Sequence, residues 1–163
     1  MENGIGLIAN DLVDIQRIGQ LVQQKSPSSE NNYQRIGIRL NPLVGEGRIA
    51  ATSVTTSESK FGIILDGELE LVSLLSEYKF VNGVHLHVGS QGTSLKQLSE
   101  GINLVLEEIE KLPSEVRDSL DWVDIGGGIP VDYDSGGLKF DFSEISNNIS
   151  CLGTDHFQYL ELL

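Results

Sequence analysis

Cysteine is nearly missing from this chain. One residue, Cys151, stands among 163, so no internal disulfide framework can form. A lone thiol fits a reducing compartment, and the cytoplasm is the expected location. Positive charge is scarce too: 11 Lys and Arg face 24 Asp and Glu, a formal net charge of −13. So acidic a surface repels nucleic-acid phosphates and anionic lipid, and neither is expected as a partner. It does not bar a small phosphate, which backbone N–H groups can hold without a lysine. No apolar run approaches the length that spans a bilayer. The opening "MENGIGLIAN" has no basic stretch leading into an apolar one, so no secretory signal is expected. No repeat and no low-complexity linker divides the chain, which reads as one domain over residues 1–163.

What is present is globular: 39% hydrophobic and 21% charged residues. Strand-like and helix-like patterns alternate. "GIGLIAN" (4–10) is short and apolar. "DLVDIQRIGQLVQ" (11–23) spaces Leu12, Ile15, Ile18 and Val22 as a helix does, with Asp11 as N-cap. "SPSSENN" (26–32) is a polar break. "RIGIRLN" (35–41) alternates, with Ile36, Ile38 and Leu40 on one face and Arg35, Gly37, Arg39 and Asn41 on the other. Residues 42–59 have no period and suggest a functional or mobile loop. "KFGIIL" (60–65) is a short strand or a lead-in turn. A helix over 67–79 and a strand over 81–89 follow. Residues 94–112 carry the strongest helical pattern, opened by a Ser94/Gln97 capping box and stopped by Pro113. The strand at 120–128 ends the clear pattern; a turn-rich stretch and a weakly patterned tail remain. Repeated strand–helix–strand order implies a parallel sheet with packed helices.

Ligands of such sheets bind at the C-terminal strand ends. Those ends carry Arg39 and Asn41; His85, His87, Gly89, Ser90 and Gln91; and Asp124 followed by Gly126, Gly127 and Gly128. The glycine run serves equally as a phosphate cradle or as a tight turn. Its order is not that of a dinucleotide fingerprint. His85 and His87 share one strand face. They could ligate a metal, stack on a flat ligand, or sit as hydrogen-bonded core residues. His156 is the only other histidine, so no metal site is assigned. Asp124 could orient a ligand or brace the glycine turn, and most lysines, Lys60 included, read as solvated surface.

Taken together, "IGIRLNP", "SKFGI", "GVHLHVGSQ" and "VDIGGGIPVDY" resemble the pyridoxal-phosphate-dependent decarboxylases related to diaminopimelate and ornithine decarboxylase. These have an alanine-racemase-like barrel. The resemblance runs over about residues 4–134 and leaves 135–163 as a poorly matched tail. It implies an α/β fold, a partial (β/α)8 barrel of about four to five parallel strands with flanking helices. It implies pyridoxal 5′-phosphate as cofactor. His87 would stack on the pyridine ring and Ser90 would lie near the phosphate. Gly126, Gly127 and Gly128 would wrap the phosphate, and Arg39 would approach from the neighbouring strand end. The family's Schiff-base lysine has no counterpart here; Lys60 falls in "SKFG", which is not that lysine. The later strand, whose acid pairs with the pyridinium nitrogen, has none either. Cys151 inherits no role.

The function expected from this resemblance is that of a piece of an amino-acid decarboxylase of the diaminopimelate, ornithine, lysine or arginine class. It keeps a phosphate-binding rim, has no catalytic residue of its own and is inactive alone. The parent enzyme would take an amino acid as substrate and form a homo-oligomer. The competing expectation is a non-catalytic regulatory or assembly piece that pairs with another chain to complete a barrel. A metal-dependent hydrolase using His85 and His87 is the third.

Overall fold

The computed structural model describes residues 6–24, 35–44, 59–65, 71–89 and 94–127, with short stretches at 131–132, 137–138, 143 and 159–161. Ser90, Gly128, Cys151, His156 and most of the 42–59 loop lie outside the described residues.

Five parallel strands form the main sheet in the order β1 (Leu7–Ala9), β2 (Ile36–Asn41), β4 (Gly83–Leu86), β5 (Trp122–Asp124) and β8 (Tyr159–Glu161). A two-residue β3 (Ile63–Ile64) joins β2 beyond the end of β1, at Leu40 and Asn41. The helices are α1 (Leu12–Gln24), α2 (Leu71–Glu77), α3 (Leu95–Glu110) and a single turn, α4 (Ser114–Arg117). A small antiparallel pair, β6 (Val131–Asp132) and β7 (Gly137–Leu138), stands apart from the main sheet.

Local chemistry explains most of these elements. Asp11 caps α1 by accepting the Asp14 N–H at 2.9 Å. Ser94 and Gln97 form the reciprocal capping box of α3. Pro113 ends that helix and immediately starts α4, a turn the sequence pattern did not indicate. The "KFGIIL" segment, expected as a short strand or a lead-in turn, bends at 60–62 and then forms β3. The sequence pattern fades at residue 128, but the sheet continues: β8 pairs with β5 in the register Trp122↔Tyr159, Val123↔Leu160 and Asp124↔Glu161.

Side chains alternate across a strand, so paired residues in neighbouring strands share a face. One face is aliphatic: Ile36, Ile38 and Leu40, then Val84, Leu86 and Val88, then Val123 and Ile125 are all buried. It forms the core together with Ile15 of α1, Leu71, Leu74 and Leu75 of α2, and Leu98, Ile102, Val105, Leu106 and Ile109 of α3. Gly101 lets α3 approach closely, since a Cβ there would lie 2.6 Å from Val88 Cγ2. The opposite face is different in kind. Gly37, Gly83 and Trp122 are in register across β2, β4 and β5. The indole lies over both glycines, where any Cβ would overlap its ring. Trp122 thus floors this face, is 5% exposed, and donates its indole N–H to Asn82 Oδ1 at 3.3 Å.

Candidate cofactor site

Two residues further along each strand, on the same face as the indole, the sheet carries Arg39, His85 and Asp124 in register. One step beyond stand Asn41, His87 and Gly126. Strand twist and β-alternation therefore gather one guanidinium, two imidazoles and one carboxylate at the C-terminal ends of three adjacent strands. Arg39, His85 and His87 are half-buried, whereas Asp124 is 2% exposed.

Asp124 braces the turn that follows it: its Oδ1 accepts the Gly126 N–H at 2.7 Å. Gly126 has φ +68°, a left-handed conformation that favours glycine. A Cβ at Gly126 would also run into the Leu86 carbonyl and crowd His87. The turn therefore fits against β4 only without a side chain. Gly127 then donates its N–H to His87 Nδ1 at 3.3 Å, across 40 residues of sequence. The imidazole and the glycine turn are in direct contact.

His85 lies between these groups. Its ring is nearly parallel to that of His87, at 12° and 6.4 Å between centroids. His85 Nε2 is 3.8 Å from Asp124 Oδ2, beyond hydrogen-bond distance. His85 Nδ1 is buried with no hydrogen-bond partner among the described residues. Burial, then the Arg39 charge, then His87 push the His85 pKa from 6.5 down to about 4. Burial and Arg39 also lower the pKa of His87. Both rings are neutral at pH 7, so the His85–Asp124 contact is not an ion pair there.

Arg39 has no carboxylate partner among the described residues; its guanidinium carbon lies 4.8 Å from the Phe61 ring centroid. Phe61 is held in place by Asn10, a residue the sequence reading passed over. Asn10 donates from Nδ2 to the Lys60 carbonyl at 3.0 Å and accepts the Gly62 N–H at 3.2 Å. The rule that singled out Arg39 and Asn41, a polar residue just past a strand end, finds Asn10 when applied to β1.

Of the residues expected at the site, the structure brings Arg39, His87, Gly126 and Gly127 to one rim, while Ser90 and Gly128 fall outside the described residues. Among the described residues no group of three or more His, Cys, Asp or Glu is arranged to hold a metal. None of the helices described is long and apolar enough to cross a membrane.

Residues 1–162 match the family model of the pyridoxal-binding domain of pyridoxal-dependent decarboxylases. The chain belongs to that family. The match extends past the region carried by the motifs and takes in β8. Members of this decarboxylase family bind pyridoxal phosphate through the domain to which the chain corresponds. The chain is 26% identical over 140 residues to a diaminopimelate decarboxylase of Campylobacter jejuni, covering 84% of this chain and 35% of the relative. It is 28% identical over 134 residues to a biosynthetic arginine decarboxylase of Shewanella piezotolerans, covering 74% and 20%. Its fold matches the crystal structure of a diaminopimelate decarboxylase from Helicobacter pylori complexed with L-lysine. The TM-score there is 0.69 at 23% identity, over 94% of this chain and 38% of that one. The chain thus spans about a third of the Campylobacter decarboxylase.

Proposed function

We propose that this chain is the cofactor-gripping part of a pyridoxal-phosphate-dependent amino-acid decarboxylase and binds the cofactor without a covalent anchor of its own. The observation that carries this reading is the contact between Gly127 N–H and His87 Nδ1. It joins a flat imidazole and a glycine turn at one strand-end rim, beside an arginine with no carboxylate partner among the described residues. The residues fit the group. His87 would stack on the pyridine ring, and Arg39 would supply positive charge at the rim. The turn from Gly126 to Gly128, with Ser90, would hold the phosphate. Gly126 and Gly127 direct their own amides to Asp124 and His87. They shape the turn, and donation to the phosphate falls to groups further along it. When bound, pyridoxal phosphate acts as an electron sink for bond cleavage at the α-carbon of an amino acid.

The absence of an anchor is supported by the described lysines: Lys60, Lys79, Lys96 and Lys111 are all exposed. The substrate class is an amino acid, as the diaminopimelate and arginine decarboxylases among its relatives suggest. The single cysteine fits a cytoplasmic setting. The test is equilibrium dialysis of pyridoxal phosphate against the 163-residue chain. Reversible binding is expected, weakened about tenfold or more in His87→Ala through loss of ring stacking. Borohydride should fix the cofactor to no lysine. A folded chain with no affinity for pyridoxal phosphate would overturn the reading, as would a stoichiometric borohydride adduct on one lysine.

A second reading, a non-catalytic piece that pairs with another chain, is favoured by the β1 side of the sheet. Among the described residues β1 pairs with β2 and, on its other side, with no strand. Ile8, Leu12, Val13 and Leu21 nearby are 40–52% exposed. An unpaired strand edge beside exposed apolar groups invites association. The same edge supports a homo-oligomer as our proposal, and light scattering that finds only monomer at high concentration would count against it.

A further inference from the structure

The hydrogen bond from Gly127 to His87 carries more information than proximity. A ring nitrogen that accepts an N–H bond cannot itself bear a proton. A neutral imidazole with Nδ1 as acceptor carries its hydrogen on Nε2, and which nitrogen is protonated follows from the bond the other one makes. Protonating Nδ1 would set two N–H groups against each other, so the ring could take a second proton only by releasing Gly127. The turn that aims the Gly127 amide is held in turn by Asp124, whose buried Oδ1 accepts the preceding amide at 2.7 Å. Gly126, at φ +68° and with no room for a Cβ against the Leu86 carbonyl, leaves that turn little freedom.

We propose that Asp124 is a positioning residue for His87. By holding the Gly126 amide it aims the Gly127 N–H at His87 Nδ1, which fixes a neutral ring that carries its proton on Nε2. The carboxylate acts through the backbone amides of the turn. The proposal deepens the reading above and rests on it only for what the ring then meets. A ring fixed this way presents an uncharged face to a flat aromatic ligand. Its edge offers a donor, so a ligand atom that meets His87 Nε2 is a hydrogen-bond acceptor rather than an N–H group. Among the described residues, the charged and titratable groups around His87 are Arg39 on β2, His85 on its own strand and Asp124 on β5. Burial, and then the Arg39 charge, disfavour a positive charge on the ring, in the same direction as the bond.

The test reads the nitrogens directly. The full chain, labelled with 15N, is examined by long-range proton–nitrogen correlation at pH 7. Histidine signals are assigned with His85→Gln and His156→Gln. Expected for His87 are an acceptor-type Nδ1 and a proton-bearing Nε2, with the second tautomer disfavoured about fivefold or more. Asp124→Asn keeps an acceptor oxygen for the Gly126 amide and should preserve this pattern. Asp124→Ala removes the acceptor and should shift His87 toward a mixture of tautomers. A proton on Nδ1 in the unaltered chain overturns the proposal, and so does an Asp124→Ala spectrum with His87 unmoved. Should Asp124→Ala not fold, the unaltered chain and Asp124→Asn decide the matter. Pyridoxal phosphate failing to bind a chain that shows the expected nitrogens overturns the proposed function and leaves this inference standing. The wrong tautomer in a chain that binds overturns the inference alone.

Discussion

Ile38, Leu40, Val84, Leu86 and Val123 are sealed under helices at 1% exposure or less. One residue away on the same strands, Arg39, His85 and His87 keep part of their surface open on the opposite face. The aliphatic face is uniform from β2 to β5, and any of its side chains could exchange with a neighbour of like volume at modest cost. The polar face changes level by level: glycines under an indole, then a guanidinium, imidazole and carboxylate in register, then an imidazole against a glycine turn. The difference teaches where stability and chemistry reside. Period-two alternation allows one strand to serve both tasks, so a substitution can damage one with little effect on the other.

The largest effect should come from the aliphatic face. Leu86→Ala removes a fully buried side chain and should cost about 3–4 kcal/mol in urea unfolding. The affinity of the remaining folded chain for pyridoxal phosphate should be unchanged; a loss of less than about 1 kcal/mol would mean that this face is not a packed core. The next effect separates the faces by pH. The His85 pKa falls from 6.5 to about 4 on folding, so the unfolded chain takes up the proton first. Stability should therefore be complete above pH 6.5 and decline as pH drops toward 4, by up to about 3 kcal/mol from this ring. In His85→Leu the decline over this window should be shallower; an identical slope would remove His85 from the account. His87 adds a decline of the same sign.

Smaller effects test the floor and the rim of the polar face. Gly83→Ala drives a methyl into the indole and should cost about 2 kcal/mol through overpacking. A neutral outcome would show that the ring has room to move. Phe61→Leu removes the ring beneath the Arg39 guanidinium and should cost about 0.5–1 kcal/mol. The same substitution in an Arg39→Gln background should cost measurably less, and equal losses in the two backgrounds would show that the pair does not interact.

The aliphatic face was legible in the sequence because its signals are local. Ile36, Ile38 and Leu40 alternate within one strand, and the Ser94/Gln97 box and helical spacing define α3 without reference to the rest of the chain. The strand-end rule together with the resemblance pointed to His87, Arg39, Gly126 and Gly127, which the structure brings to one rim. Contacts between strands were not legible. No pattern within 81–89 or 120–128 alone announces that Trp122 lies over Gly83 and Gly37, because that depends on register between strands. The strand at 159–161 is equally a product of pairing with β5, since "FQYLELL" has no clean alternation. The acceptor role of His87 Nδ1 belongs to the same class: its partner is 40 residues away and is a backbone amide, which no residue type can advertise.

Trp122 has one further consequence. It is the only tryptophan in the chain and sits at a fixed level of the polar face, about 13 Å along the strand direction from the glycine turn. Its indole emission, excited at wavelengths that tyrosine does not absorb, therefore comes from a single fluorophore standing beneath the proposed site. An absorbing ring captured at the rim would dim that emission, and the protein carries its own optical gauge of occupancy.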